Sequence, residues 1–436
     1  MRAPPRLAVI AFFVVATLWL AANLAVMTKG LRVPTEDDEA VAKGAVDAAL
    51  ASDYRRLDFE MGRIYAGPKF SFLEAVIRIP SDWLHAAVRV AMVLLAAGGA
   101  AWFTWEWRRN LREAMLVLVA TVGLLQVSVS YQAFLSQQWF WFGWAAIWTM
   151  GALALRPDSV ANRAGIVLAF AVALAAHESN AAFLLWPVAV RAVGRGEKIF
   201  WAALRPCWSC VVVLAVYGGL SLALRRHTSD PQNIYPGTIL SPDLGRFALA
   251  LNVFSLGSVP GLESWRVRWS DHGLPLWLTP AQWLEHLRAW TTAMDIFSAA
   301  LVGGAVWLGL AREKTDERAS RATPLAMLAV ILAAVYAPNL LLAATIKYQG
   351  WAQQRMWPYY YSAMSYLAWI VLIVTGTGVL LSTLRGPAWR VTGRVLATGL
   401  AAVIALSVFA SSREALGYLR RQPLHHIKGY PHAPLK

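Results

Sequence analysis

Uncharged apolar stretches recur along the chain: Leu7 to Met27, Val90 to Trp105, Ala114 to Tyr131, Trp139 to Leu155, Pro206 to Leu224, Ile296 to Ala311, Pro324 to Ile346, Tyr359 to Leu384 and Val395 to Ala410. A membrane-crossing helix needs roughly 17–25 apolar residues, so the pattern predicts an all-α polytopic membrane protein. Between Ala164 and Val190 two shorter runs flank His177-Glu178-Ser179-Asn180. Periodicity alone fits one helix with a charge at its centre, or two short helices meeting at a polar vertex.

The distribution of cations selects between these. With two short helices, the connectors bearing Arg108/Arg109/Arg112, Arg156/Arg163, Arg191/Arg195/Lys198, Arg312/Lys314/Arg318/Arg321 and Arg385/Arg390/Arg394 all share a side with Arg2 and Arg6. A single helix would put the later connectors outside. The two-helix arrangement gives about eleven spans and a domain over residues 1–412. It leaves residues 413–436 as a short outward tail carrying Arg413, Arg420, Arg421, Lys428 and Lys436, against the same rule.

Composition agrees with a membrane protein: 58% hydrophobic, 15% charged, 22 Trp. The first run is too long for a signal-peptide core and no small-x-small cleavage site precedes the acids, so it reads as a retained helix. Cys207 and Cys210 lie in an apolar run and read as packing residues. The arrangement implies a multi-pass protein of the cytoplasmic membrane, and nothing in it suggests a nucleic-acid partner.

The unusual polar features fall on the outer face. They are the loop Thr28 to His85, the vertex at His177-Glu178, the loop Arg225 to Trp290, and the loop Lys347 to Trp357. In residues 280–290, Trp283, Leu284, Leu287 and Trp290 share one helical face, which predicts a helix lying in the interface. Val41, Val46, Leu50 and Leu57, followed by Phe70, Phe72 and Trp83, predict short surface helices in the first loop.

That first loop opens with Glu36-Asp37-Asp38-Glu39. Acids after Thr35 suit a helix cap and first turn, but four adjacent like charges also form a carboxylate cluster at the membrane edge, a functional signature. Arg355, bracketed by aromatics and accompanied by Lys347, suits either headgroup snorkelling or phosphate recognition. Together, an acid to take a hydroxyl proton and a cation to steady a departing phosphate fit sugar transfer from a polyprenyl phosphate. The donor's apolar tail explains a site at the bilayer edge.

Three segments carry a resemblance: Asp37-Asp38, the stretch from His177-Glu178 to Pro187, and Gln354-Arg355-Met356-Trp357-Pro358-Tyr359-Tyr360. They resemble motifs of the GT-C superfamily of integral-membrane glycosyltransferases, which includes protein O-mannosyltransferases and bacterial lipid A aminoarabinose transferases. The resemblance implies Asp37 as general base with Asp38 beside it. It also implies Arg355 and Lys347 on the donor phosphate, support from His177, Glu178, Gln354 and Tyr359, and inversion at the anomeric carbon. The partners implied are a polyprenyl-phosphate sugar donor, a glycan or glycolipid acceptor and the membrane lipids.

The sequence departs from the family in two places: His177 stands where many members carry Lys, and Met356-Trp357 replaces the usual Tyr. No large outer domain follows the last apolar run, which points to a lipid-linked or surface glycan acceptor. No cofactor is expected; a divalent metal has no ligand pattern, since Asp230, Asp243 and Asp271 share a loop at spacings that match none. Two other classes compete. A transporter or flippase of lipid-linked sugars predicts charges deep within spans, and a glycan polymerase or ligase would draw on Arg266, Arg268 and His272.

Single cysteines introduced near Gly67 and Gly350 are expected to react with an impermeant reagent from outside the cell. Reaction at Gly350 only after permeabilisation would exclude the eleven-span arrangement.

Overall fold

The computed structural model describes residues 6–29, 64, 71–72, 75–76, 79, 81–124, 135–198, 204–226, 239–260, 266–267, 276–277, 281, 284–285, 287–288, 291–311, 322–353 and 359–421. The helices in chain order are α1 (Arg6–Thr28), α2 (Asp82–Arg108), α3 (Leu111–Leu124), α4 (Leu135–Leu155), α5 (Val160–Ala176), α6 (Trp186–Arg195) and α7 (Leu204–Arg226). They continue as α8 (Leu244–Leu256), α9 (Ala293–Gly309), α10 (Ala322–Tyr336), α11 (Leu340–Ala343), α12 (Ile346–Gln353), α13 (Tyr359–Thr383) and α14 (Pro387–Arg421). Short 3-10 turns, Glu178–Phe183 and Ala337–Asn339, interrupt the series. A two-residue ladder, β1 (Arg266–Val267) with β2 (Leu276–Trp277), is the only sheet among the described residues.

Six helical stretches among the described residues are long and apolar enough to cross a membrane: Arg6–Thr28, Asp82–Arg108, Cys207–Leu224, Pro324–Ala343, Met364–Thr383 and Pro387–Arg413. Trp139–Leu155, Val160–Ala176, Leu244–Leu256 and Ala293–Gly309 are apolar but shorter. On α1, Phe13 and Leu20 are buried while Leu7, Val15 and Leu18 are exposed, and α7 and α14 also expose Leu220, Leu396 and Leu400. Large apolar side chains on outer faces are what a bundle solvated by lipid presents, and what one in water avoids.

Small residues let the helices approach. A Cβ on Gly151 would meet the Trp186 indole nitrogen at 2.6 Å and Phe103 at 3.0 Å. Glycine there admits the Trp186 ring into a cluster with Trp148 and Phe103 at centroid distances of 5.8 and 5.7 Å. Cys207 and Cys210 are buried, and the Cys207 thiol donates to the Leu184 carbonyl at 3.2 Å, in line with packing roles.

The connectors bearing Arg108/Arg109, Arg156/Arg163 and Arg191/Arg195 meet at one end of the bundle. Arg108 pairs with Glu113 at 2.8 Å, and Arg109 with Glu106 at 2.6 Å. Arg109 also closes α2 from a left-handed conformation, φ 50°, with its N–H donating to the Trp105 carbonyl. Arg156 reaches Glu106 at 3.8 Å, and Arg191 joins Asp158 at 3.2 Å to Glu197 at 3.0 Å. Bonds from Arg163, then burial acting in opposition, then Arg191, set the Asp158 carboxyl, which lies well below the ordinary carboxylate range. Its contribution to stability is complete above the unfolded-state pKa of about 4 and is lost as pH falls beneath it.

Residues 160–195 form a hairpin. The Arg195 guanidinium donates to the Arg156 carbonyl at 2.6 Å, so the chain that leaves along α5 returns through α6 to where it started.

Elsewhere the elements differ from what the apolar runs predict. The run Pro324 to Ile346 is not one helix: Pro338, lacking an N–H, forces a 3-10 turn at Ala337–Asn339. Lys347 to Gln353, expected as loop, is helical because Tyr348, Gln349 and Ala352 form a buried face. The loop Arg225 to Trp290 contains α8, capped by Asp243, whose Oδ1 accepts from the Arg246 N–H at 2.9 Å. Ala281, Leu284, Glu285, Leu287 and Arg288 are helical, where an interfacial helix is expected. Most of the expected surface helices of the first loop lie outside the described residues; Ser71, Phe72, Ala75 and Val76 are helical.

Helix α14 does not stop where its apolar run does but continues to Arg421. Arg413 is therefore part of a helix rather than a tail. It clasps Asp295, which is fully buried at the start of α9, through Nη2 at 2.8 Å and Nε at 3.2 Å. Asp295 also closes a capping box, accepting from the Thr292 N–H at 2.7 Å.

Removing one partner of a buried pair costs ~3–5 kcal/mol. Arg413 is one-third exposed, so Arg413→Ala is expected to cost about 2 kcal/mol in thermal unfolding of the detergent-solubilised protein. Asp295→Ala combined with Arg413→Ala should cost less than the sum of the two; strict additivity would show that the pair is not coupled.

Candidate functional site

Buried polar side chains gather around the turn between α5 and α6, where His177, Ser179 and Asn180 are all buried. His177 leaves the helix in extended conformation, φ −167° and ψ 143°, after donating its N–H to the Ala173 carbonyl at 3.1 Å. Its side chain then caps the 3-10 turn, Nδ1 accepting from the Ser179 N–H at 3.1 Å and lying 3.0 Å from the Ser179 hydroxyl. An accepting Nδ1 puts the proton of the neutral ring on Nε2, which lies 4.0 Å from Glu178 Oε2. The ring meets Phe140 edge-on at 5.3 Å, and only 7% of His177 is exposed. Asn180 donates to the Ala173 carbonyl at 2.8 Å, supplying a second donor at the helix end. Glu178 is half-exposed at the tip.

This vertex packs against the Ala337–Asn339 turn and α11. Within that second break Asn339 is fully buried and donates to Ser255 Oγ at 3.0 Å and Ser365 Oγ at 2.9 Å. Its Oδ1 has no hydrogen-bond partner among the described residues. Trp369 donates to the Ser255 carbonyl at 2.9 Å, so one carboxamide ties together α8, α13 and the turn. Asn339, Ser255 and Ser365 are absent from the sequence reading; the signal that would have found them is Pro338-Asn339 inside an apolar run.

The chain passes from α11 into α12, which carries Lys347. Its ammonium lies 4.9 Å from the Trp351 ring centroid and 5.6 Å from that of Tyr348. Gln349, buried below, donates to the Ala343 carbonyl at 3.0 Å. Backbone bonds from Ile346 to Ile239 at 3.0 Å and from Ser241 to Ala344 at 2.8 Å fasten this corner to the segment before α8.

The structure thus brings the His177-Glu178 vertex onto the segment that leads to Lys347. Tyr359 is the first residue of α13. Asp37, Asp38, Gln354 and Arg355 lie outside the described residues. No protein-family model, curated protein or solved structure matches the chain.

Loss of a side-chain cap costs ~0.5–2 kcal/mol. His177→Ala is expected to lose about that much and to speed amide exchange over residues 173–183, whereas His177→Asn, which can accept at the same place, should retain most of it. Equal losses in the two variants would refute the capping role.

Proposed function

We propose that this chain is an integral-membrane glycosyltransferase of GT-C type. It moves a sugar from a polyprenyl-phosphate donor to a hydroxyl of a lipid-linked or cell-surface glycan at the outer face of the cytoplasmic membrane. The observation that carries the reading is the hairpin at residues 160–195. It returns the chain to the basic end and sets the His177-Glu178 vertex against residues 337–343 on the opposite side. With that hairpin the chain makes about eleven crossings under the positive-inside rule, and the polar vertex faces outward with Asp37, Asp38 and Arg355.

In this mechanism Asp37 accepts the proton of the acceptor hydroxyl as its oxygen attacks the anomeric carbon. The bond from that carbon to the phosphate oxygen breaks, and the configuration inverts. Asp38 is a like charge one residue away, which raises the proton affinity of the pair at a low-dielectric surface. Arg355 forks the departing phosphate, with Lys347 as a second cation; the Trp351 ring beside Lys347 keeps that charge at the membrane edge. Gln354 and Tyr359 flank Arg355 in sequence, and His177 and Glu178 support the site from the vertex.

Mass-spectrometric comparison of envelope glycans from cells with and without the protein should reveal one missing sugar substituent. Asp37→Asn is expected to cost ~10²–10⁴-fold in transfer rate while donor binding persists. Arg355→Ala should weaken donor binding by roughly 1.5–3 kcal/mol, with Lys rescuing only in part. Unchanged transfer by Asp37→Asn, or retention of anomeric configuration, would overturn the mechanism.

A further inference from the structure

At the basic end, away from the vertex, α1, α3, α9 and α14 come together around three guanidinium groups. Arg6 and Arg112 stand at a narrow cleft whose other lining residues are Val9, Ile10, Phe13, Leu111 and Met115. Arg112 is also near enough to Arg394 for the two charges to act on each other. Arg394 lies over the Trp307 ring at 3.9 Å, and its Nη2 donates to the Trp307 carbonyl at 2.6 Å. Its Nε is buried and has no hydrogen-bond partner among the described residues.

Among the described residues, the nearby carboxylates are committed elsewhere. Glu113 is taken by Arg108, and Glu106 by Arg109 and Arg156. Arg112 has a partner of its own, but five N–H donors leave room for another acceptor. Like charges gathered at a low-dielectric boundary repel unless an anion lies among them.

We propose that this corner binds one acidic phospholipid. Its phosphate sits among Arg6, Arg112 and Arg394, and an acyl chain lies along the Val9, Ile10, Phe13 and Met115 cleft. The cleft selects a lipid over a free phosphate, because an inorganic ion leaves the partly exposed Ile10 and Met115 uncovered while an acyl chain buries them against the already buried Val9 and Phe13. Arginine in all three places suits the tetrahedral oxygens of a phosphate, which its planar fork meets two at a time. Trp307, stacked under Arg394, has the amphipathic ring typical of the headgroup level.

The test uses the full chain, purified in a nonionic detergent and titrated with phosphatidylglycerol or phosphatidylcholine under native mass spectrometry. One phosphatidylglycerol should bind preferentially, and R112Q combined with R394Q should reduce its affinity by roughly tenfold or more. Inorganic phosphate should not compete at matched concentration. A parent protein with no preference for the acidic lipid, an unaffected double variant, or full competition by inorganic phosphate would each overturn the proposal. Because the double variant removes two helix-end contacts, phosphatidylglycerol with a photoreactive acyl chain is also crosslinked to the parent. Labelling is expected in residues 9–13 and 111–115, and labelling confined to other segments refutes the site.

Discussion

A backbone that turns back where a helix ends must find new partners for its N–H and C=O groups, and the rest of this structure depends on how that is done at His177. The imidazole takes the Ser179 N–H and the Asn180 carboxamide serves the Ala173 carbonyl, so the chain reverses with its polar groups paired. Were that reversal absent, residues 191–197 would end far from Asp158 and Arg156, and the ion pairs that close the basic end would have no partners. These local hydrogen bonds thereby return the chain to the end from which α5 began.

The two ends handle charge differently. At the basic end, arginines outnumber acids and share them, with Glu106 serving two cations and Arg191 two carboxylates. At the other end, several of the described cations are individually matched. Arg413, which a positive-inside reading disfavours there, is neutralised by a fully buried Asp295. Lys29 and Lys347 instead rest on aromatic faces, Trp83 and Trp351, at 4.4 and 4.9 Å. Each such pairing offsets part of the charge where it sits.

Much of this was legible in the sequence because lipid imposes a simple rule on composition. The apolar runs locate the long helices, and four polar residues with Pro187 locate the vertex, since neither feature is tolerated in a lipid-facing span without a reason. What escaped has a common cause: hydrophobicity reports solvent, not backbone conformation. Asn339 hides in an apolar run because one buried carboxamide barely alters its mean. The eight residues of α12 mix Lys, Gln and Gly and so read as loop. Helix α14 outlasts its apolar run because Ser411-Ser412-Arg413-Glu414-Ala415-Leu416 still favours helix once lipid is left behind. The acids and Arg355 of the proposed chemistry lie outside the described residues, so their roles rest on the sequence pattern alone.

Helices α9 and α14 run antiparallel and are fastened at both ends, by Arg413 on Asp295 and by Arg394 on the Trp307 carbonyl. The two arginines are nineteen residues apart, roughly 28 Å along the helix, and their acceptors twelve apart, roughly 18 Å. Each side chain therefore reaches inward toward the middle of its partner, like two opposed hooks. Sliding α14 in either axial direction slackens one hook only by overstretching the other, so the pair has a defined register with a restoring force both ways. Mechanically it is a beam, and whatever flexing the bundle undergoes is left to helices joined at a single end.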